Sequence, residues 1–429
     1  MSSRTSYETN RSATSDGSRR QSSASSILGG ESSGFSRLHG LRRLVTNYGA
    51  QQLGLNSLNT PDEIITSLEI EQRKELNFAA FSPMAEYAAV AAGHKLQVFS
   101  WDRRANLQWT PCWTEIVLPD CLAASGHIDA IALSNSLVAV ATNRGFEVYE
   151  LHTPENESRG VSTTRQKKEP VVPLMAVSDL SSIALSPETS ETSGRICVGT
   201  EDGRLLIWHI GGGSDEGRYI LTPQSPELSL KGDSTASDIP SAVAFSHDSS
   251  RICVGSMNRH IYIYELGQDG WSLWKRIALE GDFGSGTFQY IRFTAMAFMS
   301  TDQSADQIAF TTDSDFPAGC PTILDIQTNK STAFSDKPLK AQSLAVSPSA
   351  KRLVFVDSCR HTVMLVESSP GGSFDRGVRA QTDVTSLKRG RNPFIAAVAF
   401  THSRSEEGDT DDGRERFLVM NRMGKIQLF

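Results

Sequence analysis

The chain has few cysteines, no long apolar run and no excess of positive charge, and each shortage removes a class of protein. Its six cysteines among 429 residues are Cys112, Cys121, Cys197, Cys253, Cys320 and Cys359. None forms a Cys-x-x-Cys pair, so neither a disulfide framework nor a zinc site is expected. The longest apolar runs are of the kind at 394–400, far short of the ~20 residues that cross a bilayer. The start, MSSRTSYETN, lacks the apolar centre of a secretory signal, so the expected location is the cytoplasm, the nucleus or both. A net charge of −7 gives no overall pull toward nucleic acid, and no such partner is expected.

Catalytic and cofactor motifs are missing too. There is no Gly-rich phosphate loop and no His-Glu-x-x-His. Gly30-Glu31-Ser32-Ser33-Gly34 spells a nucleophile elbow, but that motif needs a strand before it and a helix after it, and here it lies in Ser/Gly-rich sequence expected to be disordered. The run Asp409-Thr410-Asp411-Asp412-Gly413 lacks the spacing and closing glutamate of a calcium loop. The expectation is a protein without enzymatic activity, cofactor or metal. An enzyme with a site built from loops is the third-ranked reading.

Repetition is what the sequence does have. An alanine between two apolar residues recurs at Ala80, Ala132, Ala184, Ala244, Ala297, Ala345 and Ala399. The intervals are 52, 52, 60, 53, 48 and 54 residues. Two positions on stands Ser82, Ser134, Ser186, Ser246, Met299, Ser347 or Thr401. A second apolar run follows each copy, at 87–91, 137–142, 195–200, 251–256, 307–312, 352–357 and 416–421. A third run ends in Phe99, Tyr149, Trp208, Tyr264, Leu324, Val366 or Phe429. An acid follows in four copies: Glu150, Glu265, Asp325 and Glu367. Runs of this length separated by turn residues are strands, and one three-stranded unit cannot bury both its faces without stacked copies. Alanine at the innermost strand suits strands crowded about an axis. Near-continuous Ile, Val, Cys and Ala in the second strand suits burial on both faces. Cys197 and Cys253 share one such slot and read as small buried hydrophobes.

From about residue 61 to 429 the chain resembles the WD-repeat family of β-propellers. The likeness rests on the Val-Ala-Phe-Ser-like first strand and the aromatic-acidic end of the third. The family's Gly-His dipeptide precedes only one first strand, at Gly126-His127, and Trp-Asp never falls in register. The resemblance implies an all-β, seven-bladed propeller at 61–429. The last repeat has three strands, so the strand expected at 64–70 would close the ring as its fourth. Fourth strands are expected at 112–118, 271–277, 219–221, 331–334, 374–380 and, weakly because of Pro170 and Pro173, at 170–174. Short second-to-third-strand turns are expected at Asn143-Arg144-Gly145, Glu201-Asp202-Gly203 and Arg422-Met423-Gly424.

Residues 1–34 form a Ser/Arg-rich segment too poor in apolar groups to offset its ordering entropy, and are expected to be disordered. Arg19-Arg20-Gln21-Ser22 has the spacing of a basophilic kinase site, which makes Ser22 a candidate for phosphorylation. At 35–60 lies a linker or short basic amphipathic helix, with Phe35, Leu38, Leu41, Val45 and Tyr48 at helical spacing among Arg37, His39, Arg42 and Arg43.

The favoured function is a non-catalytic scaffold or adaptor that binds other proteins through propeller loops and faces, within a larger assembly or regulatory pathway. The alternative comes from Leu387-Lys388-Arg389-Gly390-Arg391, which is similar to the Phe-Arg-Arg-Gly motif of phosphoinositide-binding propellers. That likeness implies a membrane-recruited propeller with Lys388, Arg389 and Arg391 as the anion ligands. An anionic membrane surface would then be met through 387–391 or through 35–48.

Overall fold

The computed structural model describes residues 64–67, 78–92, 95–102, 108–117, 128–142, 144–151, 170–187, 193–212, 219–224, 227–230, 238–279, 291–299, 307–313, 321–333, 341–357, 362–368, 378–383, 395–401, 415–422 and 424–428. All fall in one unit, Thr46–Phe429. They form 29 strands and no helix. The strands make seven antiparallel sheets; six have four strands and that of blade 3 has a short fifth, and all but the last run in chain order from the inside out. Blades 1 to 7 span 78–117, 130–176, 180–229, 240–278, 293–333, 341–383 and 395–428. Each inner strand neighbours the inner strand of the next blade, and that of blade 7 returns to blade 1. The protein is a seven-bladed β-propeller.

All seven blades share one register, and it is anchored on the recurrent alanine. Ala80, Ala132, Ala184, Ala244, Ala297, Ala345 and Ala399 stand opposite Ala89, Ala139, Cys197, Cys253, Ala309, Val354 and Leu418 on the second strand. Those in turn face Val98, Val148, Ile207, Ile263, Ile323, Leu365 and Leu428 on the third. Side chains opposite one another lie on the same face of a sheet, so each blade carries a row that starts small. That row meets the bulky row of the following blade. Ala184, Cys197 and Ile207 pack with Phe245, Ile252 and Tyr264. Ala244, Cys253 and Ile263 pack with Phe298, Ile308 and Leu324. The core is therefore seven clusters, one between each pair of neighbouring blades. The residue ending the third strand wedges against the preceding blade, as Tyr149 does against Ala89 and Val98. Small size thus matters at the contact between blades as well as around the axis.

The recurrent serine is a turn device. Ser82, Ser134, Ser186, Ser246 and Ser347 are buried. Each Oγ accepts a backbone N–H from the start of the second strand, that of Tyr87, Leu137, Arg195, Arg251 or Arg352, at 2.8–3.1 Å. The same serines donate their own N–H to the carbonyls of those residues. The expected second-to-third-strand turns hold Gly145, Gly203 and Gly424 at positive φ, while blade 4 places Arg259 there at φ 67°.

The ring closes as the three-stranded last repeat requires. Ile64–Ser67 pairs antiparallel with Lys425–Leu428, with Ile64 opposite Gln427 and Ser67 opposite Lys425. It supplies the fourth strand of blade 7. Residues 68–70, the rest of the expected strand, lie outside the described residues.

Two glycines let blades approach. A Cβ on Gly255 would stand 2.4 Å from Phe293 Cγ and 2.7 Å from Met296 Sδ, both on the next blade. Phe293 is 1% exposed and has nowhere to turn. In the equivalent place on blade 3, a Cβ on Gly199 would meet Pro240 Cγ at 2.5 Å. Gly255→Ala is expected to destabilise the protein by about 1–3 kcal/mol through overpacking, measured by urea unfolding. Gly194→Ala, where the nearest atom is 3.5 Å away, is the control and should change stability by less than about 0.5 kcal/mol.

Candidate functional site

Among the described residues, large apolar side chains reach solvent mainly on the rim of blades 3 and 4. Among the described residues the exposed large hydrophobics are Phe78, Met84, Ile220, Leu273 and Trp274, and the last three belong to outer strands. In blade 4 the outer strand Gly270–Ala278 begins in regular pairing, with Trp271 buried against blade 3. Its pairing then slips. Ile263 faces Lys275 and Tyr264 faces Leu273, so Trp274 is an extra residue. A bulge of this kind re-aims side chains and bends a free edge away from strand addition. Here it leaves Leu273 50% and Trp274 37% exposed.

Trp274 is not alone on its face. The Arg251 guanidinium lies 4.5 Å from the ring centroid. Arg251 also holds Glu265, directly opposite on the third strand, at 3.1 Å. Lys275 donates to the carbonyl of Ile326 and, at 3.5 Å, to that of Gln327, tying the rim to blade 5. The result is a tryptophan stacked on an arginine, with a carboxylate beside it and a leucine next in the chain. Trp and Arg are the residue types that dominate binding energy at protein interfaces, and here they are fixed in place by the fold.

The most concentrated polar cluster, also in blade 4, is closed. Asp238 is fully buried. Its Oδ2 accepts from Ser256 Oγ at 2.6 Å and from Tyr262 OH at 3.0 Å, and its Oδ1 accepts from Asn258 N–H at 3.1 Å. His260 Nδ1 stands 3.3 Å from the same Oδ2. Burial, and then the Asp238 carboxylate, raise the Tyr262 phenol's pKa, so it remains a donor. Serine, histidine and carboxylate suggest hydrolysis by composition. A nucleophilic serine, however, must give its proton to a histidine that the acid supports from behind. Here serine, histidine and tyrosine converge on one carboxylate oxygen, which makes a lock joining the loop before the inner strand to the second and third strands. Blade 3 has a smaller version. Thr200 Oγ1 donates to Asp202, which also holds Arg204 Nε at 2.6 Å. The Thr200 bond, then Arg204, pull the Asp202 carboxyl below its ordinary range.

Cys197 and Cys253 are fully buried and unpaired. Burial raises both thiols' pKa, which leaves them poor nucleophiles. Among the described residues no three His, Cys, Asp or Glu side chains converge to hold a metal. Lys388, Arg389, Arg391 and Ser22 lie outside the described residues, as do 35–60 and 402–414. The basic motif falls between the outer strand of blade 6, Val378–Asp383, and the inner strand of blade 7, Ile395–Thr401.

Comparison of the chain with protein-family models and with curated proteins finds no match.

Proposed function

We propose that this protein is a WD-repeat-like propeller that works as a non-catalytic scaffold for other proteins, in the cytoplasm or nucleus, within a larger assembly. β-Propellers commonly serve as protein-interaction scaffolds. The observation that carries the reading here is the blade 4 rim, where a bulge presents Leu273 and Trp274 to solvent over the Arg251–Glu265 pair. Two features support the WD-repeat assignment. Acids that follow the third-strand aromatic or apolar residue pair across to the second strand, Glu265 with Arg251 and Glu367 with Arg352. WD repeats share a hydrogen-bonded tetrad, and Asp238, Ser256, His260 and Tyr262 make a four-residue cluster in blade 4.

The test is affinity purification of the intact chain from its own cells, followed by mass spectrometry. At least one stoichiometric protein partner is expected. The Trp274→Ala/Leu273→Asp variant should retain the far-ultraviolet spectrum and melting temperature and recover that partner at least tenfold less. An intact chain that co-purifies with nothing would count against the scaffold. A partner retained in full by the variant would move the docking surface away from this rim.

A further inference from the structure

Nine of the chain's seventeen prolines follow a serine or threonine, at Thr60, Ser82, Thr110, Thr153, Ser186, Thr222, Ser225, Ser347 and Ser369. Ser/Thr-Pro is the dipeptide that proline-directed kinases accept, and the structure sorts these sites by access. Ser82, Ser186 and Ser347 are 0%, 2% and 3% exposed. Each of their oxygens accepts an N–H from the start of the second strand of its blade, that of Tyr87, Arg195 or Arg352. A kinase cannot reach them without undoing a blade. Thr222 is different. Both Thr222 and Pro223 are exposed, at the end of the outer strand Tyr219–Pro223. The backbone there is already extended, and Thr222 pairs only inward, with His209.

We propose that Thr222 is a site of phosphorylation by a proline-directed kinase. In the step, Thr222 Oγ1 attacks the γ-phosphorus of ATP, ADP leaves, and the hydroxyl proton passes to the kinase's base. The surroundings give the product a consequence. Arg195, His209 and Thr222 stand opposite one another across three strands of blade 3 and share a face. Arg195 is spent on neutral acceptors, with Nε on Gln224 Oε1 at 3.0 Å and Nη1 on the carbonyl of Ser249 in blade 4 at 3.2 Å. A phosphate two strands away on that face offers a doubly charged, bidentate acceptor, which outcompetes a carbonyl. The modification therefore draws Arg195 from Ser249 and loosens the tie between the first turns of blades 3 and 4.

The experiment uses the full chain, a purified proline-directed kinase, ATP and a control peptide that reports kinase activity. Mass spectrometry should find phosphate on Thr222 and none on Ser82, Ser186 or Ser347, with the Thr222 signal absent from Thr222→Val. Amide exchange across 249–251 should quicken several-fold in the treated wild type and stay unchanged in treated Thr222→Val. An unmodified Thr222 while the control peptide is phosphorylated overturns the site. Phosphate on Thr222 without a change in exchange at 249–251 overturns the role given to Arg195.

Discussion

Asp238→Ala is expected to cost about 3–5 kcal/mol of stability, the range for removing one partner from a buried charged cluster. The loss has an identifiable origin. Without the carboxylate, the buried hydroxyls of Ser256 and Tyr262 lose an acceptor, as does the half-buried N–H of Asn258. Each unmade buried hydrogen bond is worth about 1–3 kcal/mol. Asp238→Asn keeps an oxygen of the same shape and should lose less. Urea unfolding measures both. A double-mutant cycle with Tyr262→Phe then separates the pair from the rest. Residues in one network show a coupling of about 0.5–3 kcal/mol, so strictly additive losses would show that the cluster does not act as a unit. The same experiment bears on chemistry. If Asp238 were part of a working site, its replacement would more often relieve strain than destabilise the fold.

Much of the architecture was legible because it depends on a feature that sequence records directly, the size of a side chain at a fixed interval. The alanine at seven equivalent places marks the inner strand, and five of the seven second strands have the very bounds that their apolar runs suggest, as at Arg251–Ser256 and Arg352–Asp357. In the other two the ladder extends past the apolar run, to Ala92 in blade 1 and back to Ser193 in blade 3. Outer strands were less legible, since their free edge tolerates irregularity. Leu228–Ser229, which pairs with Arg204 and Leu205 beside the main outer strand of blade 3, is two residues long and leaves no periodic trace. The bulge did leave one. Strict alternation cannot bury both Trp271 and Trp274, which are three apart, and the break between them is where Trp274 is displaced.

The polar clusters were not legible, because ladder pairing assembles them from distant positions. Asp238 lies 18 residues from Ser256 and 24 from Tyr262, and nothing in their spacing announces contact. Ser181 and Ser241 make the same point. Both are the extra residue of a bulge at the same place on inner strands. Ser241 Oγ donates to the Gly255 carbonyl and accepts the Phe293 N–H of the next blade. Ser181 Oγ is buried and makes no hydrogen bond among the described residues. The next blade begins with Pro240 where the later one has Phe293, and proline has no N–H to give. One residue type in a neighbouring repeat decides whether a hydroxyl is used.

The closing strand sets the second large effect. A protein beginning at residue 61 keeps Ile64–Ser67, and its melting temperature should stay within about 2 °C of the full chain if residues 1–34 are as disordered as their composition predicts and 35–60 act as a linker. One beginning at residue 71 leaves Lys425–Leu428 as an open edge, and the rim of blade 7 with three strands in place of four. That should lower stability by roughly 3–5 kcal/mol and the melting temperature by about 5 °C for a domain of this size. It should also promote aggregation, because a bare strand edge is a template for pairing with another chain. Adding a peptide of residues 61–70 in trans should restore part of the loss, with the recovery saturating as the peptide concentration rises. Calorimetry of the two truncations side by side distinguishes this from a general penalty of shortening the chain. If both melt alike, the last blade is held by its own three strands, and closure by the N-terminal strand contributes nothing to the ring.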